Sequence, residues 1–514
     1  MLGSASHGGG ASSGGWSPGQ RLPRWWWIPL VLVAAGALSA VSPWTTLCVL
    51  AFALTLLLVL QRPLLGLLLF VALQPFVDRL FEIPMGRGLP DLSIGRLTLA
   101  FLLISIVGRA TIGKTRLAPL GVMELLVVAV PLGIMISAPL SDRPLDVVQS
   151  AFSFYLLPLL MYFIAKNCVH SAKELDSLFT AVMILGLLTT AYVVFELSTG
   201  IVLFSEEYVD PTRVSRVYAT SYPSLWQIRG VFASSASFGR VLVTTTLASV
   251  HLFYRERGGW RRWWLLAAVV FQCLGLFLSL NRTSWVAFLF GMVVLQFGYP
   301  RLRRWLAGGT VLALVLLGAF HRPVADSVLV QGRVLYNLKT LNGRLPRWQT
   351  SFEMWKAKPL FGWGFGKFEE HSGRFRRDGQ SENFGGPESD YFLILVAAGL
   401  VGFVPHVLSL SMPWFFSLCL FFRARAPDWR GFVNAEAIVV YWAILCGLLL
   451  NSLTVVQTQS VVRGLVFTVA GAVVGTHERW LRAGERARHA VDGDGLCDPI
   501  SGQGRIARLG MADR

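Results

Sequence analysis

Charge is scarce in this chain. Only 15% of its 514 residues are Asp, Glu, Lys or Arg, whereas 54% are hydrophobic; a soluble domain carries about a quarter charged residues. That balance excludes a soluble globular domain. Cysteine is sparse as well, limited to Cys48, Cys168, Cys273, Cys419, Cys446 and Cys497. Their spacing fits no metal motif. Each lies in an apolar run or in a segment expected on the inner side, so no disulfide is expected outside. No HExxH, Asp-x-Asp or Cys/His cluster stands in the segments expected outside, so metal-assisted chemistry is not indicated and no cofactor is expected. No small-residue cleavage site follows a short apolar segment, so no removable signal peptide is expected.

What the chain has is a succession of apolar runs, each near the ~20 residues a helix needs to cross a ~30 Å hydrocarbon layer. They fall at 25–42, 44–60, 63–77, 94–108, 119–138, 147–165, 175–197, 231–253, 263–280, 283–299, 305–320, 400–422, 433–453 and 461–478. The expected fold is all-α: a polytopic transmembrane bundle of about 12–14 helices with a large outer loop carrying short amphipathic helices.

Basic residues orient it, because Lys and Arg in short loops stay cytoplasmic. With the amino terminus inside, the inner segments hold Arg21, Arg24, Arg62, Arg109, Lys114, Arg116, Lys166, Lys173, Arg255, Arg257, Arg261, Arg262, Arg301, Arg303, Arg304, Arg423, Arg425 and Arg430. The short outer loops hold only Arg79, Arg87, Arg143 and Arg282. The net charge of +17 is therefore mostly topological charge facing anionic lipid, and no nucleic acid partner is expected.

This gives a cytoplasmic Gly/Ser-rich tail over 1–24, membrane helices over 25–197 and an outer loop over 198–230. Helices follow over 231–320 with a turn at Arg282, then a large outer loop over 321–399. Final helices over 400–478 lead to a basic cytoplasmic tail, 479–514. The two long outer segments are too long to be connectors and direct the search for function to the outer face.

In the second of them, Trp348, Phe352 and Trp355 recur at helical spacing, which predicts an amphipathic helix over 346–357 that Pro359 stops. Gly362, Gly364 and Gly366 predict a tight turn rather than a phosphate loop, since no Lys-Ser or Lys-Thr pair follows. From Arg322 to Asp390 stand eleven Lys or Arg against eight Asp or Glu, a surface that suits either an anionic glycan or plain solvation.

An Arg at the edge of a bilayer costs several kcal/mol unless it is paired or lines a wet cavity. Arg282, in the short outer turn LNRTS, is the sharpest case. Arg229 closes the first long outer segment, Arg240 lies a turn or two inside the next helix, and Arg96 and Arg463 stand near helix ends on the same side. Guanidinium groups gathered at one depth repel unless an anion joins them, and Arg grips phosphate or pyrophosphate in bidentate fashion. Glu388 and Asp390 open an apolar helix. Asp390 reads equally as a helix cap, and Glu388, beside cations, reads as a general base for a sugar hydroxyl.

The stretches IRGVFASSASFG, LSLNRTSWVAF, NGRLPRWQTSFEMWKAKPLFGWGFGKF and ESDYFLILVAAGLVGF, in that order, resemble the O-antigen ligase and polysaccharide polymerase superfamily of bacterial membrane glycosyltransferases over about residues 225–475. The resemblance implies a glycan on undecaprenyl pyrophosphate as donor, a glycan acceptor, and neither nucleotide nor metal. It puts Arg229 and Arg282 at the positions of the family's important arginines and matches Arg344 to the Arg that precedes the Trp of the loop helix. With Arg344, Arg347, Arg240 and Asp390 are expected to bind substrate, and Glu388, Arg282 and Arg229 to carry catalysis. The ligases place His then Asn where this chain has Glu388 and Ser389, which points to a polymerase of exopolysaccharide or O-antigen repeat units. A flippase and a chain-length regulator are the partners implied in the cytoplasmic membrane. Ligation of glycan to lipid A-core, a glycan or lipid transporter, and a non-catalytic scaffold stay open.

Overall fold

The computed structural model describes residues 59–80, 82–83, 92–199, 229–232, 234–319, 338–376, 386–426, 431–454 and 460–475, with the single residues 429 and 456. The first apolar run, almost all of the second, both tails, and most of the expected loop at 198–230 lie outside the described residues, as do residues 321–337 and 377–385 of the larger loop.

The described chain is an all-α polytopic bundle. Its helices are α1 Pro63–Leu80, α2 Ile94–Thr111, α3 Val122–Met135, α4 Pro144–Ala151, α5 Leu157–Cys168, α6 Ala172–Thr199, α7 Ser235–Arg255, α8 Trp260–Leu278, α9 Arg282–Leu295, α10 Pro300–Ala319, α11 Leu338–Ala357, α12 Phe368–Ser372, α13 Asp390–Ala424 and α14 Ala435–Thr454. The last described helix, α15, is Ser460–Gly475. Two short strands, β1 Glu82–Ile83 and β2 Leu92–Ser93, pair antiparallel between α1 and α2. Among the described residues, seven helical spans are long and apolar enough to cross a membrane, with α4 and α5 counted as one, and three shorter apolar helices accompany them.

Local chemistry starts these helices where polar residues interrupt the apolar runs. Ser93 caps α2 by accepting from the Arg96 amide at 3.2 Å. Ser234 does the same for α7, from Ser237 at 3.1 Å, and Asn281 for α9, from Ser284 at 3.3 Å. Each cap satisfies an amide that the first turn of a helix leaves without a partner. Between α4 and α5 the chain runs through a π-helical turn, Phe152–Leu156.

α7 carries more polar residues than a lipid-facing helix would, and its packing explains why. Nearly every residue from Ser235 to Leu252 is buried, including Arg240, Thr244, Thr245, Thr246, Ser249 and His251, because α6, α8, α9 and α14 surround it. A helix without a lipid face needs no apolar exterior. Its hydroxyls are satisfied within the bundle: Ser249 Oγ donates to the Thr245 carbonyl at 2.8 Å and accepts from Gln272 Nε2 of α8 at 2.9 Å.

α13 is 35 residues long and broken at Gly399, where φ is 59° and ψ −156°. The sequence places the start of this membrane helix near residue 400; the helix begins at Asp390, and what lies near 400 is its break. A freed backbone group at membrane depth must find another partner. Here the partners come from the turn after α11. The Trp363 and Gly364 amides donate to the carbonyls of Val396 and Ala397 at 2.8 and 2.9 Å, and the Leu400 and Val401 amides donate to those of Pro359 and Leu360 at 2.9 and 3.1 Å. The expected glycine turn is thus stitched into the break. Gly399 is obligatory on two counts, its left-handed φ and the Leu360 carbonyl oxygen only 2.3 Å from where a Cβ would stand. Gly399→Ala is expected to destabilise the protein by about 2–3 kcal/mol from backbone strain and displaced hydrogen bonds, read as a lowered unfolding temperature in detergent.

Candidate active site

α11 begins earlier than the predicted 346–357 but ends where Pro359 requires, at Ala357. Its aromatic face docks it: the Trp348 ring stacks on Phe392 of α13 with centroids 6.0 Å apart, while Phe352 and Trp355 face each other at 5.3 Å. Docking brings Arg344 and Arg347, one turn apart, to the start of α13. There Glu388 accepts from Arg344 Nε at 3.3 Å and from Arg347 Nη1.

Glu388 sits in the left-handed region, with φ 49°. A non-glycine residue held there costs of order 1–3 kcal/mol, and such strain clusters at functional sites. Its neighbour Ser389 is buried and donates through Oγ to the Ser452 carbonyl at 3.3 Å. Two residues further along α14, Thr454 Oγ1 donates to Thr283 Oγ1 at 3.1 Å. The carboxyl end of α14 therefore ties the start of α13 to the start of α9, where Arg282 stands. Arg282 lies within electrostatic reach of Arg344, so the sequence-predicted Glu388, Arg282, Arg344 and Arg347 form one group at one end of the bundle.

Asp390 and Arg240 belong to a second, buried group behind the first. Asp390 is not the cap of α13, a position Ser389 takes. Its side chain turns inward and accepts from Arg463 Nη2 of α15, with His406 Nε2 at 3.7 Å. Arg463 also donates through Nη1 to the Phe154 carbonyl at 2.8 Å and lies over the Tyr155 ring at 4.2 Å. Arg240, 2% exposed, feels the charges of both Asp390 and Arg463, yet among the described residues none of its three side-chain nitrogens has a hydrogen-bond partner. Arg463 was visible in the sequence as a cation near a helix end; nothing in the sequence marks Tyr155 or His406.

Arg229 lies in the turn before α7, its carbonyl accepting from the Phe232 amide at 3.1 Å. Among the described residues no ion pair joins it to Glu388. His371 packs on the Trp363 ring at 4.6 Å, within the loop's own small core.

The loop is anchored on its far side too. Ser141 Oγ, between α3 and α4, donates to the Phe365 carbonyl at 2.8 Å. Lys367 bridges Asp142 and Glu370, whose carboxylates hold its ammonium above the usual lysine range. Among the described residues no cluster of His, Cys, Asp or Glu could hold a metal ion.

This end of the bundle combines a strained, half-exposed carboxylate with an excess of guanidinium charge. Arg282, Arg344, Arg347, Arg240 and Arg463 face two carboxylates, Glu388 and Asp390. No curated protein matches the chain. The family model described as O-antigen ligase matches residues 264–407, a stretch that begins in α8, contains Arg282, Arg344, Arg347, Glu388 and Asp390, and ends inside α13. Over that stretch the chain is similar to the O-antigen ligase family, and its apolar helical spans are those of a multi-pass membrane protein.

Proposed function

We propose that this protein polymerises undecaprenyl-pyrophosphate-linked glycan repeat units on the outer face of the bacterial cytoplasmic membrane. The observation that carries the reading is the charge imbalance at Glu388, where among the described residues Arg344 and Arg347, with Arg282 beside Arg344, stand against one carboxylate. A diphosphate is the anion that such a group grips with paired hydrogen bonds.

The chemistry follows from an exchange of counter-ions. Without substrate, Glu388 neutralises Arg344 and Arg347. A bound diphosphate takes its place on the guanidinium groups and releases the carboxylate to act as base. Glu388 then accepts the proton of an acceptor-sugar hydroxyl. That oxygen forms a bond to the donor's anomeric carbon as the bond from this carbon to the diphosphate oxygen breaks. The transfer is inverting, and the lipid diphosphate leaves with the extra negative charge stabilised by Arg282, Arg344 and Arg347. Arg229, before α7, stands available to the same leaving group when substrate is bound, and Arg240 and Asp390 act from behind the site on its charge.

Purified protein given lipid-linked repeat units, with neither an ion gradient nor added nucleotide, is expected to lengthen the glycan chains. Transfer only to a lipid A-core acceptor, without chain growth, would establish the ligase alternative. Absence of transfer to either acceptor, with movement of lipid across the bilayer instead, would establish a transporter.

A further inference from the structure

A cavity of about 160 Å³ lies among α1, α2, α5 and α15, and the proposed reaction leaves it unused. It opens at the same end of the bundle as the cationic site. Arg96, on its wall, donates through Nη2 to Ser153 Oγ at 3.3 Å, next to the Phe154 carbonyl that holds Arg463.

The two walls differ in chemistry. One is polar, formed by Gln74 and Asp78 of α1, Ser93 and Arg96 at the start of α2, and Ser460 of α15. The other is apolar, with Phe70, Leu157 and Met161. The polar wall is fixed in place. Asp78 Oδ1 accepts from Ser93 Oγ at 2.9 Å and from the Gly95 amide at 3.0 Å, with Gln74 hydrogen-bonded beside it. A side chain at Gly95 would put its Cβ 2.1 Å from that same oxygen. The cavity is roughly ten times the space one water needs, so it is built for more than solvent.

Three ligand chemistries can be weighed against these walls. A phosphate would meet the Asp78 carboxylate as a like charge. A hydrocarbon tail would lay carbon against the polar wall of Gln74, Asp78 and Arg96 and strip water from it. A neutral polyol satisfies both sides, its hydroxyls donating to Asp78 and accepting from Arg96 while its ring carbons lie against Phe70 and Met161. We propose that this cavity is a second subsite, separate from the diphosphate-binding cations, that takes one neutral sugar ring. The assignment of that ring to a chain being joined rests on the glycan-transfer reading; the cavity's preference for a neutral sugar does not.

The test is saturation-transfer NMR on the detergent-solubilised full chain with a panel of neutral methyl glycosides, in the absence of any lipid-linked donor. Three variants accompany the wild type: Gly464→Leu, which fills the cavity from α15 where the nearest atom to a new Cβ is Met161 Cγ at 3.8 Å; Asp78→Asn, which keeps an acceptor for the Gly95 amide; and Glu388→Gln. The expected result is saturation of at least one glycoside by wild type and by Glu388→Gln, reduced at least five-fold in Gly464→Leu and in Asp78→Asn. Loss in Glu388→Gln with retention in Gly464→Leu overturns the proposal by placing the sugar at the cationic site. Displacement of the signal by inorganic phosphate overturns it by making the cavity an anion site, and silence across the panel overturns it outright. Should Gly464→Leu fail to fold, Asp78→Asn decides alone. The readout needs no turnover, so a silent cavity leaves the transfer reading standing, and an inactive Glu388 variant leaves the cavity standing.

Discussion

Glu388→Gln and Arg282→Ala are each expected to lower glycan transfer by about a hundred- to a thousand-fold, the usual loss when one contact of a preorganised electrostatic site is removed. The two losses differ in kind. Gln at position 388 keeps the size of the side chain and one of its two acceptor oxygens, but it sets an NH2 donor against one guanidinium group and neither neutralises Arg344 and Arg347 nor accepts a proton. Its effect should therefore fall on the rate at saturating substrate rather than on donor binding, which the unopposed guanidinium groups would strengthen. Ala at position 282 removes a cation from the leaving-group side and should weaken both. Transfer rates and donor affinities for the two purified variants check this. Wild-type rates in either would remove that residue from the mechanism.

Asp390→Ala is expected to cost stability rather than chemistry first, about 3–5 kcal/mol, as is usual when one partner of a buried ion pair is deleted and the other charge stays buried. Asp390 and Arg463 are both nearly inaccessible, and Arg240 lies in the field of the same carboxylate. Removing the carboxylate would leave two buried guanidinium groups facing each other. The paired substitution Asp390→Leu with Arg463→Met should recover only the part of the loss that falls on Arg463, because a buried ion pair exchanged for apolar groups is often neutral while Arg240 still lacks its carboxylate. Thermal unfolding of both variants in one detergent reads the difference, and an undiminished unfolding temperature for Asp390→Ala would show that the carboxylate is not the counter-ion.

The sequence and the structure agree where physics is local or periodic. Apolar runs of bilayer length give the helices, because each run needs only its own residues to form. The spacing of Trp348, Phe352 and Trp355 predicts α11, Arg282 and Glu388 stand out because a charge at a membrane edge is anomalous in isolation, and Arg344 follows only from the family resemblance. What escaped the sequence depends on partners distant along the chain. Asp390 reads equally as a cap and as a substrate-binding residue, since nothing near it in sequence reveals Arg463, 73 residues away. The break in α13 carries no distinctive composition: Gly399 is one glycine in an apolar stretch, and its meaning lies in carbonyl groups that residues 359–364 satisfy. The polar burial of α7 is likewise a property of its four neighbours.

The stitching of residues 359–364 into α13 bears on how this fold can be rebuilt. The segment between α10 and α13 cannot be treated as an interchangeable module hung between two helices, since part of its backbone completes the ladder of the helix that follows. A chimera that imports another protein's segment up to residue 389 would sever four main-chain hydrogen bonds unless it also carried the matching stretch 396–401. Exchanges made with both pieces together should insert and fold, and exchanges of the outer piece alone should not.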